Sequence, residues 1–225
     1  MLAVLLFAAA LNPVDIVRSA VELSEKTDHL RRNFSAIQET ISRSGGKTST
    51  KVYEMTYIDG KPHRKLIRKD GKPVDSKPEP YKQNEEQRLE MFRELPKALD
   101  YTFAPEETVN GYECWVMLAK PKPGYKPVSM RTSFLTKMEA KVWITKKHNR
   151  MIKLDARTID AVSFGGFLAK LAPGTRIQFD QIQVEEDVWL PSHLRINYDG
   201  RVLFFGFKGE IEQISMDYKR VTPAT

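Results

Sequence analysis

The 225-residue sequence contains one cysteine and four histidines. One cysteine excludes an intramolecular disulfide framework, and the scattered histidines argue against a dense metal site. The sequence also lacks a nucleophile elbow, a glycine-rich phosphate loop, an H-E-x-x-H motif and paired cysteine ligands. Cys114 lies on the inward face of a predicted strand, which is typical of a small core residue. We therefore expect no catalytic residues, no metal, no cofactor and no enzymatic activity.

Long hydrophobic runs are also missing, apart from the apolar stretch Met1–Leu11. It is too short to cross a bilayer as a helix, which takes roughly 20 residues. The run resembles the apolar region of a secretory signal peptide without its basic start, and Ala8–Ala10 supplies a small-residue cleavage site. We predict a signal peptide over residues 1–10 and a periplasmic or otherwise exported protein. The alternative is a buried N-terminal strand or helix.

What is present is an ordinary globular composition, with 41% hydrophobic and 29% charged residues and a net charge of +7. These values predict one folded domain over residues 11–225. The charge is uneven, because residues 41–160 hold 25 basic and 16 acidic residues while the remainder holds 11 and 13. A clustered positive field attracts polyanions. Export makes nucleic acid an unexpected partner and leaves anionic lipid headgroups or acidic polysaccharide; the alternative is a solvated surface divided between two faces.

Two helices are predicted. Asn12 and Pro13 form a favourable helix start, and apolar residues then recur at spacings of three and four as far as Phe34. This pattern predicts an amphipathic helix over residues 13–34. A second, charged helix is expected from Glu85 to Leu95.

Period-two alternation dominates the rest. Hairpin signals occur at Asp59–Gly60, Asp70–Gly71, Asn110–Gly111 and Asp199–Gly200. Residues 101–222 are predicted to be almost entirely β, interrupted by an apolar segment at 159–172 whose spacing favours a short helix. The fold class is α+β: a single strongly curved antiparallel sheet, a half-barrel of about nine to eleven strands, with helices covering its concave face.

Three segments resemble the lipoprotein-carrier superfamily of LolA, LolB and RseB. They are Gly111–Leu118, Lys141–His148 and Met151–Asp155. In that superfamily a strand of the type G-x-x-x-x-V-x-L precedes one of the type V-W-I-D-K, and here Thr145 stands where aspartate is common. Two further segments, Val162–Leu171 and Val188–Pro191, resemble bacterial outer-membrane lipoprotein-sorting proteins. The resemblance implies a half-open sheet whose apolar cavity takes acyl chains of lipoproteins or other lipids.

Aromatic and methionine side chains are candidates for the lining of such a cavity, because flexible and broad apolar groups suit an acyl chain. The alternative is plain core packing. The candidate cavity and lid residues are Val17, Val21, Tyr53, Met55, Tyr57, Trp115, Met117, Trp143, Phe164, Phe167, Leu168, Leu171 and Phe179. The candidate basic rim consists of Lys61, Arg64, Lys65, Lys141, Lys146 and Lys147.

Two functions remain open from the sequence. The first is a non-enzymatic cell-envelope protein that binds a lipid or lipoprotein acyl chain under a helical lid formed by residues 13–34 and 159–172, with a rim that contacts an anionic membrane surface. The second is an envelope sensory or interaction module of the RseB type, in which the cavity is vestigial and a protein or glycan is the partner. A filled interior favours the second.

Overall fold

The computed structural model describes residues 11–81, 85–164, 169–202 and 205–221. Helix α1 spans Pro13–Thr27, and the Asn12 side chain caps it by accepting a hydrogen bond from the Val14 amide at 3.0 Å. The chain then continues as a 3₁₀ segment, Asp28–Asn33. Helix α2 spans Glu85–Ala98. Neither helix is long and apolar enough to cross a membrane, within the residues described.

Fourteen strands form one sheet in the described part of the chain. Their bounds are β1 Phe34–Ser44, β2 Lys47–Ile58, β3 Lys61–Lys69, β4 Lys72–Pro73, β5 Glu79–Pro80, β6 Leu99–Val109, β7 Tyr112–Pro121, β8 Met138–Thr145, β9 Met151–Thr158, β10 Val162–Phe164, β11 Ala169–Leu171, β12 Arg176–Glu185, β13 Val188–Val202 and β14 Phe205–Arg220. A second 3₁₀ segment, Ser133–Lys137, precedes β8.

The strands follow the order β4-β3-β2-β1-β14-β13-β12-β9-β8-β7-β6, and β5 pairs with β3. The two end strands, β4 and β6, do not pair with each other, so the sheet is open. Register shifts interrupt β1–β14, β2–β3, β6–β7, β8–β9 and β12–β13. Such bulges bend strands and increase twist, which gives the curvature that a sheet this wide needs. The predicted α+β half-barrel is confirmed, although fourteen strands exceed the expected nine to eleven.

The helical elements lie on one face of this sheet, which we call the helix face. Helix α1 contacts β6, β8 and β9, and the 3₁₀ segment after it contacts β13, β1 and β2. One continuous run therefore reaches strands near both ends of the order, because the sheet curves around it. Cross-strand partners in an antiparallel sheet share a face, so the register assigns every strand's side chains to the helix face or to the outer face.

Three local predictions were wrong. The helix expected over 13–34 ends at Thr27, and Phe34 already begins strand β1. The segment at 159–172 contains strands β10 and β11, which pair with each other, and β11 also pairs with β13. Asp199–Gly200 is not a turn, because β13 runs through it to Val202. Gly200 is needed for close packing: an added Cβ would lie 2.5 Å from the Lys170 carbonyl oxygen.

Candidate functional site

The covered half of the helix face is a filled core. Val17, Ala20 and Val21 of α1 pack against Met117, Ile144 and other side chains of β6 to β9, and all of these are buried. A cavity between α1 and α2, lined by Val21, Ser24, Glu25, Arg88, Leu89 and Phe92, measures about 10 Å³. That volume accommodates about one water molecule and no acyl chain.

The same face continues beyond the helices as an incompletely covered apolar surface. Phe179 on β12 pairs with Leu154, which belongs to the core under α1, so Phe179 faces the helix side. Its neighbours across β13 and β14 follow from the register. We call this set the central patch: Ile177, Phe179, Leu194, Ile196, Tyr198, Phe207 and Ile211, all of them only half-buried. Large apolar side chains left this accessible side by side are typical of a ligand groove or an interface.

A second apolar group lies on the same face at β2 and β3. Tyr53, Met55 and Tyr57 alternate along β2, and Leu66 pairs with Tyr53 across the strands. All four side chains are half-buried. The Arg64 guanidinium lies over the Tyr53 ring at 5.1 Å and donates to Glu79 Oε1 at 2.8 Å. We call the four apolar residues the β2–β3 patch.

A polar row separates the two patches. On β1, Gln38, Thr40 and Ser42 face the helix side, and Gln213 of β14 pairs with Thr40. Gln38 donates to Ser215 Oγ at 3.5 Å. The open part of the helix face is therefore amphipathic: two apolar surfaces flank a strip of amides and hydroxyls. Such a strip can hydrogen-bond ester or amide groups, which apolar side chains cannot do.

On β13 and β14 the outer face carries charge instead. Glu212 on β14 accepts hydrogen bonds from Arg195 at 2.6 Å and from Arg43 at 3.2 Å, and its Oε1 lies 2.9 Å from His193 Nε2. These hydrogen bonds, first of all that from His193, lower the pKa of Glu212 to about 2. Arg176 pairs with Asp155 on the same face. Within the described residues, no group of three or more acidic, histidine or cysteine side chains is arranged to hold a metal.

Four of the sequence-predicted cavity residues form part of the core between α1 and the sheet. They are Val17 and Val21 on α1, and Trp115 and Met117 on β7. Tyr53, Met55, Tyr57 and Phe179 lie on the open part of the same face, and Leu171 joins this face through its pairing with Gly200.

Other candidates lie elsewhere. Trp143 lies on the outer face, where its indole donates to Glu107 at 2.8 Å, so it does not share a surface with Trp115. The Phe164 backbone belongs to β10, and Phe167 and Leu168 lie outside the described residues. The bulge between Trp143 and Ile144 shifts the register of β8 against β9.

The candidate basic rim does not form one border. Lys141 pairs with Glu107, Lys146 with Glu106 and Arg64 with Glu79. Lys61 begins β3, Lys65 lies within it, and Lys147 lies in the turn after β8. Half of the six cations are thus compensated by carboxylates, and the set spreads over distant parts of the sheet.

Arg150 was not singled out from the sequence, yet it joins α1 to the sheet. It is buried and donates to the Leu23 carbonyl at 3.2 Å, to Thr27 Oγ1 at 2.7 Å and to the Asp187 carbonyl at 3.1 Å. Burial lowers the pKa of its guanidinium. A cation at the C-terminal end of a helix also interacts favourably with the helix dipole.

No family model matches the chain, and no curated protein sequence matches it. Similar solved structures include the following three. An outer membrane lipoprotein-sorting protein domain from Vibrio parahaemolyticus is 12% identical, with 93% of this chain and 95% of that chain covered and a TM-score of 0.43. A DUF1329 family protein from Desulfovibrio piger is 14% identical, with 96% of each chain covered and a TM-score of 0.39.

A LolA superfamily protein from Nitrosomonas europaea is 9% identical, with 91% of this chain and 94% of that chain covered and a TM-score of 0.33.

Proposed function

We propose that the protein is a non-enzymatic, exported carrier that binds the acyl chain of a lipid or lipoprotein on the open part of the helix face. The observation that carries this proposal is the central patch, whose large apolar side chains remain half-buried beside a filled core. The ligand site thus lies beyond α1, on β12 to β14, and the β2–β3 patch lies on the same face across the polar row.

An acyl chain fits this surface chemically. Each methylene that leaves water contributes about 0.8 kcal/mol, so ten buried carbons contribute about 8 kcal/mol before ordering costs. The polar row at Gln38, Thr40 and Gln213 would meet the ester or amide group at the head of the chain. A fully apolar ligand would leave these groups without partners, which favours an amphipathic one.

The sheet supplies a matched pair of variants for the test. Ile211 and Ile214 lie on the same strand and are both half-buried, but Ile211 faces the central patch while Ile214 faces the outer side beside His193. With a fluorescent fatty acid as probe, we expect Ile211→Gln to weaken binding about tenfold, because it removes apolar contact area. Ile214→Gln should bind like the parent protein. Absence of any probe binding, or equal effects of the two substitutions, would overturn the proposal.

The filled core under α1 also favours a second candidate, an envelope interaction module whose partner is a protein. Here a polypeptide segment would cover the central patch. Capture from envelope extract with parent protein and Ile211→Gln as baits, followed by lipid extraction of the bait, separates the two. A protein retained by the parent alone, with no lipid and no fatty-acid binding, favours this candidate.

A further inference from the structure

The connections of the sheet divide between two ends that differ strongly in charge. One end carries the turns β1–β2, β3–β4 and β13–β14, the loop from β7 to β8, and the β9 to β12 connection with β10 and β11. We call it the basic end and define it by its described residues, 43–48, 68–73, 120–137, 159–164, 169–175, 199–202 and 205–208. Its charged residues are thirteen Lys and Arg against three Asp.

The opposite end is nearly neutral. It comprises residues 28–34, 58–61, 106–113, 145–150, 185–188 and 216–221, which hold eight Lys and Arg against nine Asp and Glu. The excess positive charge of the protein is therefore concentrated at the basic end. At the neutral end, basic and acidic side chains pair directly, as in Lys146–Glu106 and Arg220–Glu185.

The most exposed large apolar side chains occur at the same basic end. Phe205 is 77% exposed, Met130 73% and Val128 64%. Ile159 and Val202 are close to half-exposed at the same end. Among the described residues outside this end, Leu11 is 54% exposed and no other large apolar side chain exceeds 43%. An acidic polysaccharide offers such side chains charge alone, whereas a lipid bilayer offers both an anionic surface and an apolar interior.

The β13–β14 hairpin reaches outward at this end. Ser44 at the end of β1 pairs with Gly209, and β14 extends a further four residues to Phe205. Four residues of strand span about 13 Å. Phe205 pairs with Val202 on the helix face, while Arg201 and Lys208 lie on the outer face beside them. Lys and Arg side chains in such positions can keep their charged heads in water while apolar neighbours enter an apolar phase.

We infer that the basic end docks on an anionic lipid bilayer, with Phe205 and Val202 entering the headgroup region and Arg201, Lys170 and Lys208 contacting acidic headgroups. Asp199 compensates part of this charge through a 3.7 Å pair with Lys208. The docking does not depend on a ligand on the helix face, so it stands separately from the proposed carrier function.

The test uses the purified protein and sucrose-loaded vesicles of phosphatidylcholine with 30% phosphatidylglycerol, sedimented at low salt. We expect binding to these vesicles, weak binding to pure phosphatidylcholine, and loss of binding as salt rises. Phe205→Ser should lower the partition coefficient about tenfold, since one exposed aromatic side chain leaves water on docking. Arg201→Gln and Lys208→Gln should lower it about fivefold each.

Two surface variants serve as controls. Leu118→Ser changes an exposed apolar residue on the outer face of β7, and Lys219→Gln removes a cation at the neutral end. Both should bind vesicles like the parent protein. Insertion is read directly with an environment-sensitive label at Phe205→Cys, because Cys114 is buried and remains unlabelled. The label should shift to shorter wavelength only with anionic vesicles.

Three results would contradict the inference. Absence of binding to the anionic vesicles at low salt overturns the inference, and so does binding that Phe205→Ser leaves unchanged. Equal binding to soluble dextran sulfate, again unaffected by Phe205→Ser, would assign the basic end to a polyanion. Fatty-acid binding in solution is measured on the same variants, so a failure of membrane docking is distinguished from a failure of the carrier function.

Discussion

Replacing Glu212 by glutamine tests the charge network on the outer face. Only 8% of Glu212 is exposed, and its carboxylate accepts from Arg195 and Arg43 and faces His193. Glutamine keeps the shape but removes the charge that these partners face. The two arginines would then share Glu210 as their remaining carboxylate.

The magnitude follows from the pKa. In the folded protein the pKa of Glu212 is lowered from 4.5 to about 2, first through the hydrogen bond from His193. At 1.36 kcal/mol per pK unit, this difference corresponds to about 3 kcal/mol at neutral pH. Arg43 and Arg195 are partly exposed, and solvent screening reduces the expected loss to about 2 kcal/mol. The melting temperature of a chain of this size should fall by about 4–8 °C.

The pH dependence has a definite sign. Because the folded-state pKa lies below the unfolded one, the stabilisation is fully present above pH 4.5 and is lost as the pH falls from 4.5 towards 2. The difference in unfolding free energy between parent and Glu212→Gln should therefore shrink by more than half between pH 5 and pH 3. Urea denaturation followed by tryptophan fluorescence at several pH values measures it.

Glu54→Gln is the matched control, because Glu54 is exposed on the outer face of β2. It should change stability by less than about 0.5 kcal/mol. The reasoning is refuted if Glu212→Gln costs no more than Glu54→Gln, or if its cost is the same at pH 5 and pH 3.

Three further substitutions test packing and attachment. Met117→Ala should lower the free energy of unfolding, measured in urea, by about 3 kcal/mol because Met117 is fully buried. Leu118→Ala on the same strand should lower it little, and similar losses would contradict the assigned core. Gly209→Ala should destabilise the protein more than Gly46→Ala, because an added Cβ at Gly209 lies 2.6 Å from the Tyr198 hydroxyl. Gly46 faces open space, so Gly46→Ala should cost only about 1 kcal/mol of stability, from the positive φ. The reverse order would contradict this packing. Arg150→Ala should speed hydrogen exchange in the last turn of α1 relative to the sheet, and Arg150→Lys should do so less; unchanged exchange would show that Arg150 does not hold the helix.

Sequence patterns predicted those parts of the fold whose local signals match their surroundings. Asp59, Asp70 and Asn110 adopt positive φ before a glycine, as the hairpin signals required. Tyr53, Met55 and Tyr57 alternate along strand β2. Their position on one face of the sheet could therefore be predicted before any strand pairing was known. Helix α1 begins where Asn12 and Pro13 indicated.

Other parts could not be predicted because tertiary contacts decide them. Strand β1 has polar residues such as Gln38 and Thr40 on the helix face, so it shows no clear alternation, and its pairing with β14 joins residues far apart in sequence. Side chains alternate along β8 as predicted, but only the register with β9 shows that Trp143 occupies the outer face. The glycine at 200 resembles a turn signal, although it is there for close packing of Phe207 and the Lys170 carbonyl.

The two glycines of the β13–β14 hairpin connect the central patch with the basic end. Across the two strands the helix-face pairs are Ile196–Ile211, Tyr198–Gly209, Gly200–Phe207 and Val202–Phe205. Each glycine lies opposite an aromatic residue, and the Tyr198 and Phe207 rings lie 5.8 Å apart and occupy the space that a Cβ would need. The result is an apolar surface that runs from Ile196 and Ile211 in the middle of the sheet to Val202 and Phe205. Under the proposed carrier function, an acyl chain bound at Ile196 and Ile211 would leave the protein along this surface. Its methylene groups would then reach the basic end, with its exposed Phe205, without crossing charged side chains.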